Sequence, residues 1–100
     1  MNKVKITVLK ITTYNDLIEK YENPINDPCP YKVGDEFMVT SPKKPDGLCE
    51  NSWKAMKDYV ISLLNGKGNF FDNWMKNPLS CMVSCDDGFR PVTFYIEVVK

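Results

Sequence analysis

The fold is decided by residues 79–100, which read LSCMVSCDDGFRPVTFYIEVVK. Apolar and polar residues alternate on both sides of Asp87-Gly88, and a period of two is typical of half-buried strands. An Asp-Gly pair between two such runs is a strong signal for a two-residue hairpin turn. The sequence therefore predicts strands over 79–86 and 89–100. The residues of the second strand that we expect to be buried are Val92, Phe94, Ile96 and Val98.

The register of this hairpin carries a chemical expectation. A two-residue turn puts Cys85 opposite Arg90 and Cys81 opposite Phe94, so both thiols lie on the core-facing side. Pro91 cannot donate to a strand ladder and is expected at a bulge or an edge. A guanidinium beside a thiol lowers its pKa, so Cys85 with Arg90 is the candidate redox site. The alternative is an ordinary hairpin arginine that pairs with a neighbouring aspartate.

Upstream of the hairpin, helical and strand patterns are separated by loops rich in Pro, Asn, Asp and Gly. Thr13 and Asp16 resemble a capping box ahead of apolar residues at helical spacing, and Ser52 is a good N-cap for a helix that ends at Asn65-Gly66. Residues 66–78 have no regular period and are predicted to be a loop anchored by aromatic side chains, with at most one helical turn. The remaining predicted elements are strands over 3–11 and 37–40, a helix within 13–21, and loops over 22–30 and 42–49.

These elements predict one α+β domain over residues 1–100, in the order β-α-β-α-β-β. We expect an antiparallel sheet covered on one face by the helix over 52–65, and a small half-open β-barrel is the alternative. One hundred residues suit a single hydrophobic core. The twelve aromatic residues supply enough apolar surface that a metal or disulfide is not needed to stabilise it.

Charge and composition argue against several functional classes. Thirteen basic and thirteen acidic side chains cancel and are mixed along the chain, which disfavours nucleic-acid and membrane-surface partners. Residues 1–6 alternate immediately instead of forming a signal peptide, so we expect a cytoplasmic protein. The chain contains no histidine, the commonest general base, so hydrolytic catalysis is disfavoured as well.

The four cysteines are the main chemistry that the sequence offers. Cys29, Cys49 and Cys85 each flank a turn, where a fold can bring thiolates together as ligands of zinc or an iron–sulfur cluster. Cys81 and Cys85 cannot share one ion on a strand, because residues four apart are separated by roughly 13 Å. Alternatively, the cysteines are small buried apolar side chains. We expect the isolated protein to contain no metal or other cofactor.

Motifs that carry a family resemblance are spread over most of the chain. They are Cys-Pro at 29–30, Gly-Asp-x-Phe at 34–37, Gly-x-Cys at 47–49 before Trp53, and Cys-x-Asp-Gly-x-Arg-Pro-Val-x-Phe at 85–94. In these motifs the chain resembles a family of small uncharacterised prokaryotic proteins of about this length. The resemblance implies a shared fold with Cys29, Cys49 and Cys85 tied to motifs, leaves Cys81 outside them, and implies no activity.

Three functional hypotheses follow from these features. The first is a non-catalytic binding or accessory module that acts on a protein or small ligand through its long loops, because the charge is balanced and a catalytic base is lacking. The second is a metal or iron–sulfur protein with Cys29, Cys49 and Cys85 as ligands. The third is a thiol redox protein that uses Cys85 and Arg90.

Overall fold

The middle of the sheet is formed by the first and last strands, β1 (Lys3–Ile11) and β4 (Val92–Val99). The computed structural model describes residues 2–25 and 30–100. In it, β2 (Glu36–Val39) pairs with the outer side of β1, and β3 (Ser80–Ser84) pairs with the outer side of β4. All neighbours are antiparallel, and the strand order is β2-β1-β4-β3. The predicted α+β class and the order β-α-β-α-β-β are confirmed, with an open sheet instead of a barrel.

Apolar side chains from alternate positions of β1 and β4 form the buried face of this sheet. Val4, Ile6 and Val8 are inaccessible to solvent on β1, as the alternation in the sequence predicts. A bulge between Val8 and Lys10 then shifts the pairing with β4 by one residue. The same face receives Val92, Phe94 and Ile96 from β4, while Val98 is partly buried.

Helix α2 (Glu50–Leu64) covers the buried face of the sheet. It follows a glycine with φ of +87°, Gly47, and ends at Asn65 before Gly66. The buried residues of α2 are Ser52, Trp53, Met56, Val60, Leu63 and Leu64. Their spacing of three and four residues is the apolar stripe that identifies this helix in the sequence.

The short helix α1 (Asn15–Tyr21) follows β1 and packs differently, because none of its residues is buried. Its N-cap is Tyr14, whose side chain makes no capping hydrogen bond, so the predicted Thr13 capping box is wrong. Backbone contacts fasten the start of the helix: the Thr12 N–H donates to the Pro91 carbonyl and the Tyr14 N–H to the Phe89 carbonyl. No helix within the described residues is long and apolar enough to cross a bilayer.

The connection between β3 and β4 is longer than the sequence predicts. Cys81 lies opposite Ile96 and not Phe94, a shift of two residues. The shift arises because the Asp87 carboxylate accepts the backbone N–H groups of Phe89 and Arg90, which widens the turn. The predicted two-residue turn is therefore wrong.

The buried face survives this change of register, since a shift by an even number of residues keeps each side chain on its side of the sheet. Cys81 and Cys85 are both buried on the core-facing side, as expected. The neighbour of Cys85 is Val92 and not Arg90, because the Cys85 N–H donates to the Val92 carbonyl at 3.0 Å.

Candidate functional site

The three cysteines of the described residues lie in two kinds of environment. Cys49 is half-buried at the start of α2, whereas Cys81 and Cys85 belong to the hydrophobic core. Cys29, the first ligand of the predicted metal site, lies outside the described residues. Among the described residues, Cys49 is therefore the thiol that solvent reaches best.

Cys49 occupies the N-cap position of α2. Its sulfur accepts the backbone N–H of Ser52 at 3.4 Å, and the Ser52 hydroxyl lies 3.1 Å from the same sulfur. Ser52, predicted as the N-cap, is instead the third residue of the helix. The expectation failed because a thiol takes the capping role that a hydroxyl or carboxylate usually fills.

The hydroxyl of Tyr31 contacts both Cys49 and Ser52. It accepts the Cys49 N–H at 2.6 Å and donates to the Ser52 hydroxyl at 3.3 Å. The ring packs edge-on against Phe37 and Phe94, at centroid distances of 5.8 and 5.6 Å. Burial raises the pKa of Tyr31 to about 12, so the phenol keeps its proton at neutral pH and remains a donor.

This arrangement is suited to a thiolate. The N-terminus of a helix carries a partial positive charge and unpaired backbone N–H groups, which favour an anion at the N-cap. Ser52 can add a hydroxyl donor to the Cys49 sulfur, and Tyr31 donates in turn to the oxygen of Ser52. Cysteine at a helix N-terminus is a recognised setting for a reactive thiol.

Cys81 and Cys85 lie in surroundings that make their thiols inert. Cys81 has no solvent exposure, and burial raises its pKa to about 11. Cys85 is nearly as deeply buried, and its sulfur accepts the Val92 N–H at 3.3 Å. Both behave as small core residues, which is the alternative that the sequence left open.

Arg90 does not serve Cys85 as the sequence predicts. Its guanidinium Nη1 lies 2.9 and 3.0 Å from the two carboxylate oxygens of Glu22, directly after α1. The pair is mostly buried and links the β3–β4 connection to α1. The longer turn is the physical reason, because it moves Arg90 out of the ladder position opposite Cys85.

The described residues include no group of three or more cysteine and carboxylate side chains that could hold a metal ion. Cys49 is hydrogen-bonded to Ser52, and Cys85 to the backbone of Val92. The third predicted ligand, Cys29, lies in the segment outside the description.

A separate aromatic cluster lies between α2 and β3. Tyr59 packs edge-on against Phe70, and Phe71 packs edge-on against Trp74, with centroid distances of 5.1 and 5.3 Å. Phe70 is partly buried as an anchor, but Phe71 and Trp74 are 69% and 49% exposed. Phe70 therefore has the expected anchoring role, whereas Phe71 and Trp74 form an aromatic surface that is exposed to solvent.

The backbone beneath this surface makes one turn of left-handed helix. Phe71, Asp72 and Asn73 have φ of 50°, 54° and 70°, and the Trp74 N–H donates to the Phe70 carbonyl at 3.2 Å. Such conformations cost roughly 1 kcal/mol or more for each residue that is not glycine. Among residues other than glycine, Asp and Asn tolerate positive φ best. The pair Asp72-Asn73 is therefore the local sequence signal for this turn.

No protein-family model, curated protein or solved structure matches the chain. The geometry of the thiol and of the aromatic surface is therefore the basis for any functional assignment. Sequence reasoning identified Cys49 but missed Tyr31 and its hydroxyl contacts. For the cap of α2 by Cys49, the sequence signal was the Cys-x-x-Ser spacing at 49–52, directly before the helical stripe.

Proposed function

We propose that the protein is a non-catalytic binding module whose reactive group is the Cys49 thiol, which forms reversible mixed disulfides with small thiol compounds. The observation that carries the proposal is the hydrogen bonding of the Cys49 sulfur at the N-cap of α2. The redox role predicted for Cys85 and Arg90 is thereby assigned to a different cysteine. The proposal places the protein in the cytoplasm, where thiol and disulfide forms of glutathione exchange.

The reaction is a thiol–disulfide exchange. The Cys49 thiolate attacks one sulfur of an external disulfide, a new S–S bond forms to Cys49, and the original S–S bond breaks. The departing sulfur leaves as a thiolate and takes up a proton from water. Cys49 is oxidised, the departing thiol is reduced, and an excess of free thiol reverses the step.

Two features favour capture of a thiol compound over catalytic turnover. The chain lacks histidine, so a general base of the usual kind is missing. In dithiol oxidoreductases a second cysteine stands three residues after the first and resolves the mixed disulfide. Ser52 occupies that position here, and a hydroxyl cannot form a disulfide.

The direct test is incubation with glutathione disulfide followed by intact-mass and peptide mass spectrometry. We expect one glutathionyl adduct on Cys49, its loss in Cys49→Ser, and its retention in the matched control Cys85→Ser. Ser52→Ala should slow alkylation of Cys49 at neutral pH several-fold, because it removes a hydroxyl donor to the sulfur. An adduct that persists in Cys49→Ser, or alkylation unchanged in Ser52→Ala, would contradict the proposal.

The competing function, thiolate ligation of zinc or an iron–sulfur cluster, is tested by metal analysis of anaerobically purified protein. Stoichiometric metal that is lost in both Cys29→Ser and Cys85→Ser would favour ligation. The mixed-disulfide proposal expects the Cys85→Ser protein to match the wild type in metal content.

A second candidate function is the docking of a partner protein on the exposed pair Phe71 and Trp74. It is supported by the cost of the left-handed turn, because strained backbone persists where surrounding structure or function maintains it. Peptides selected for binding to the wild type should lose at least tenfold affinity for Phe71→Ser/Trp74→Ser. The matched control is Tyr21→Ser, which removes an equally exposed ring elsewhere. Equal binding to all three proteins would reject this function.

A further inference from the structure

Helix α2 ends at Asn65-Gly66, and Asn65 is the only asparagine of the chain that precedes a glycine. Asparagine is a chemically labile residue. It is most labile before glycine, because no side chain hinders the approach of the next backbone nitrogen to its amide carbon. Asn65 is the C-cap of the helix, Gly66 follows it with φ of +76°, and both residues are exposed. The labile pair therefore lies at the surface and not inside the helix.

We propose that Asn65 is a site of spontaneous deamidation in the folded protein, at a rate that local opening of the last turn of α2 determines. The proposal is independent of the thiol chemistry at Cys49.

The reaction requires water as its only co-reactant. The Gly66 backbone nitrogen gives up its proton to water and attacks the amide carbon, Cγ, of Asn65. A new C–N bond forms, the bond from Cγ to Nδ2 breaks, and the amide nitrogen takes up a proton and leaves as ammonia. Water then opens the succinimide ring at either carbonyl carbon, which gives aspartate or isoaspartate. One water is consumed, one ammonia is released, and nothing is oxidised or reduced.

Hydrogen bonds at the end of α2 keep the two reacting groups in place. The Asn65 side-chain amide donates to the Ile61 carbonyl at 3.0 Å, and the Gly66 N–H donates to the Leu63 carbonyl at 3.0 Å. Both bonds must break before the nitrogen can reach Cγ. Leu63 and Leu64 are inaccessible, but Asn65 and Gly66 bring no side chain into the core. The turn can therefore open while the core stays folded.

Asn2 holds this turn closed from outside the helix. Its backbone N–H donates to the Leu64 carbonyl at 2.9 Å, and its side-chain amide donates to the Leu63 carbonyl at 3.2 Å. The Leu63 carbonyl also accepts the N–H of Gly66, so Asn2 and the attacking nitrogen share one acceptor. An open cleft of about 400 Å³, lined by Asn2, Leu64, Asn65 and Gly66, admits water to the pair. Asn2 is therefore placed to control how often the turn opens.

Deamidation changes the charge at this end of the helix. The new carboxylate cannot donate to the Ile61 carbonyl as Asn65 does, and it lies at the negative end of the helix dipole. The last turn of α2 contains no basic residue that would compensate this charge. Isoaspartate also adds one carbon atom to the backbone at the C-cap. The modified protein therefore has a weaker attachment between Asn2 and α2.

Peptide mass spectrometry of the native protein, incubated at physiological temperature and mildly alkaline pH, tests the proposal. We expect conversion of amide to acid at Asn65 before any other asparagine reacts, and no conversion at this position in Asn65→Gln. Asn2→Leu keeps a similar shape but cannot donate from its side chain, and it should accelerate the reaction at least threefold. The matched control Asn15→Leu replaces an exposed asparagine of α1 and should leave the rate unchanged.

A core variant separates local opening from global unfolding. Ile96→Val removes a methylene group from an inaccessible side chain, so it lowers global stability without touching the end of α2. We expect the rate at Asn65 to stay at the wild-type value in Ile96→Val, with circular dichroism as the check that each variant is folded. Slower reaction at Asn65 than at other asparagines, a rate unaffected by Asn2→Leu, or equal acceleration in Asn2→Leu and Ile96→Val would each overturn the proposal.

Discussion

The two helices of this protein differ in how much of their surface the rest of the chain buries. Both carry apolar residues at helical spacing, yet α2 buries six of its residues against the sheet and α1 buries none. The N-cap of α2 has a side-chain hydrogen bond, whereas the N-cap of α1 has none. Helical periodicity therefore identifies an apolar face but does not say which surface will cover it.

The attachment of the two helices differs as well. α2 is held along its length by packing on β1, β3 and β4. α1 is held near its ends, by the backbone bond from Tyr14 to Phe89 and by the ion pair between Glu22 and Arg90. We therefore expect α2 to unfold only together with the hydrophobic core. We expect α1 to open locally while the core stays folded.

The same substitution in each helix gives the largest expected contrast. Leu63→Ala removes an inaccessible side chain of α2 and should lower the free energy of unfolding by about 2–5 kcal/mol. Leu17→Ala on α1 should cost less than about 1 kcal/mol, because the side chain is already partly in water. Denaturant melts at low protein concentration measure both, and equal losses would show that α1 is packed after all.

Alkaline pH should weaken the core beneath α2. The Cys81 thiol titrates near 9.0 when unfolded, but burial raises its pKa to about 11 in the folded protein. The unfolded state therefore loses its proton first, and the free energy of unfolding should fall as pH rises from 9 to 11, by about 1–3 kcal/mol. Melts at several pH values should show this slope flattened in Cys81→Ala. Tyr31, with its pKa raised to about 12, should add a further fall above pH 10.

Removing the ion pair at the end of α1 should affect that helix alone. Arg90→Ala leaves Glu22 without its partner in a mostly buried position and should cost about 1–2 kcal/mol. Amide exchange should accelerate in α1 and stay unchanged in α2. Lys5→Ala is the control, because the pair Lys5–Glu36 is longer and more exposed and should contribute less than about 0.5 kcal/mol. Accelerated exchange in both helices would contradict the separate attachment of α1.

The smallest expected effect is a gain in α1. Tyr14→Asp supplies the side-chain cap that the helix lacks and should stabilise it by about 0.5 kcal/mol. Slower amide exchange in the first turn of α1 is the measurement. Tyr14→Ala should give no such protection.

The sequence predicted the architecture because alternation in β1 and β4 and the stripe of α2 are strong, local signals. It missed the hairpin register because an Asp-Gly pair does not reveal that the Asp87 side chain will accept two backbone N–H groups. That contact depends on the loop conformation, which no periodicity encodes. The wrong register also gave Arg90 the wrong partner. Arg90 pairs with Glu22, which lies 68 residues earlier in the chain.

The candidate site was predictable only in part. The position of Cys49 before a helix is readable, and the favourable helix dipole follows from it. The Tyr31 hydroxyl reaches Cys49 only because its ring is held by Phe37 and Phe94, and such long-range packing is not visible in local sequence.

The pairing of β1 with β4 has a consequence for how the protein assembles. Ile11 lies opposite Val92, more than eighty residues later, so the central ladder closes one of the longest loops in the chain. Loop closure of this kind must precede the contacts that offset its entropy, which makes folding slow. Tyr31 is seated against Phe94 of β4, so the surroundings of Cys49 are complete only after that strand has joined. During synthesis, Cys49 would therefore remain an ordinary unfolded thiol until β4 has joined the sheet, and its contacts with Tyr31 and Ser52 would form last.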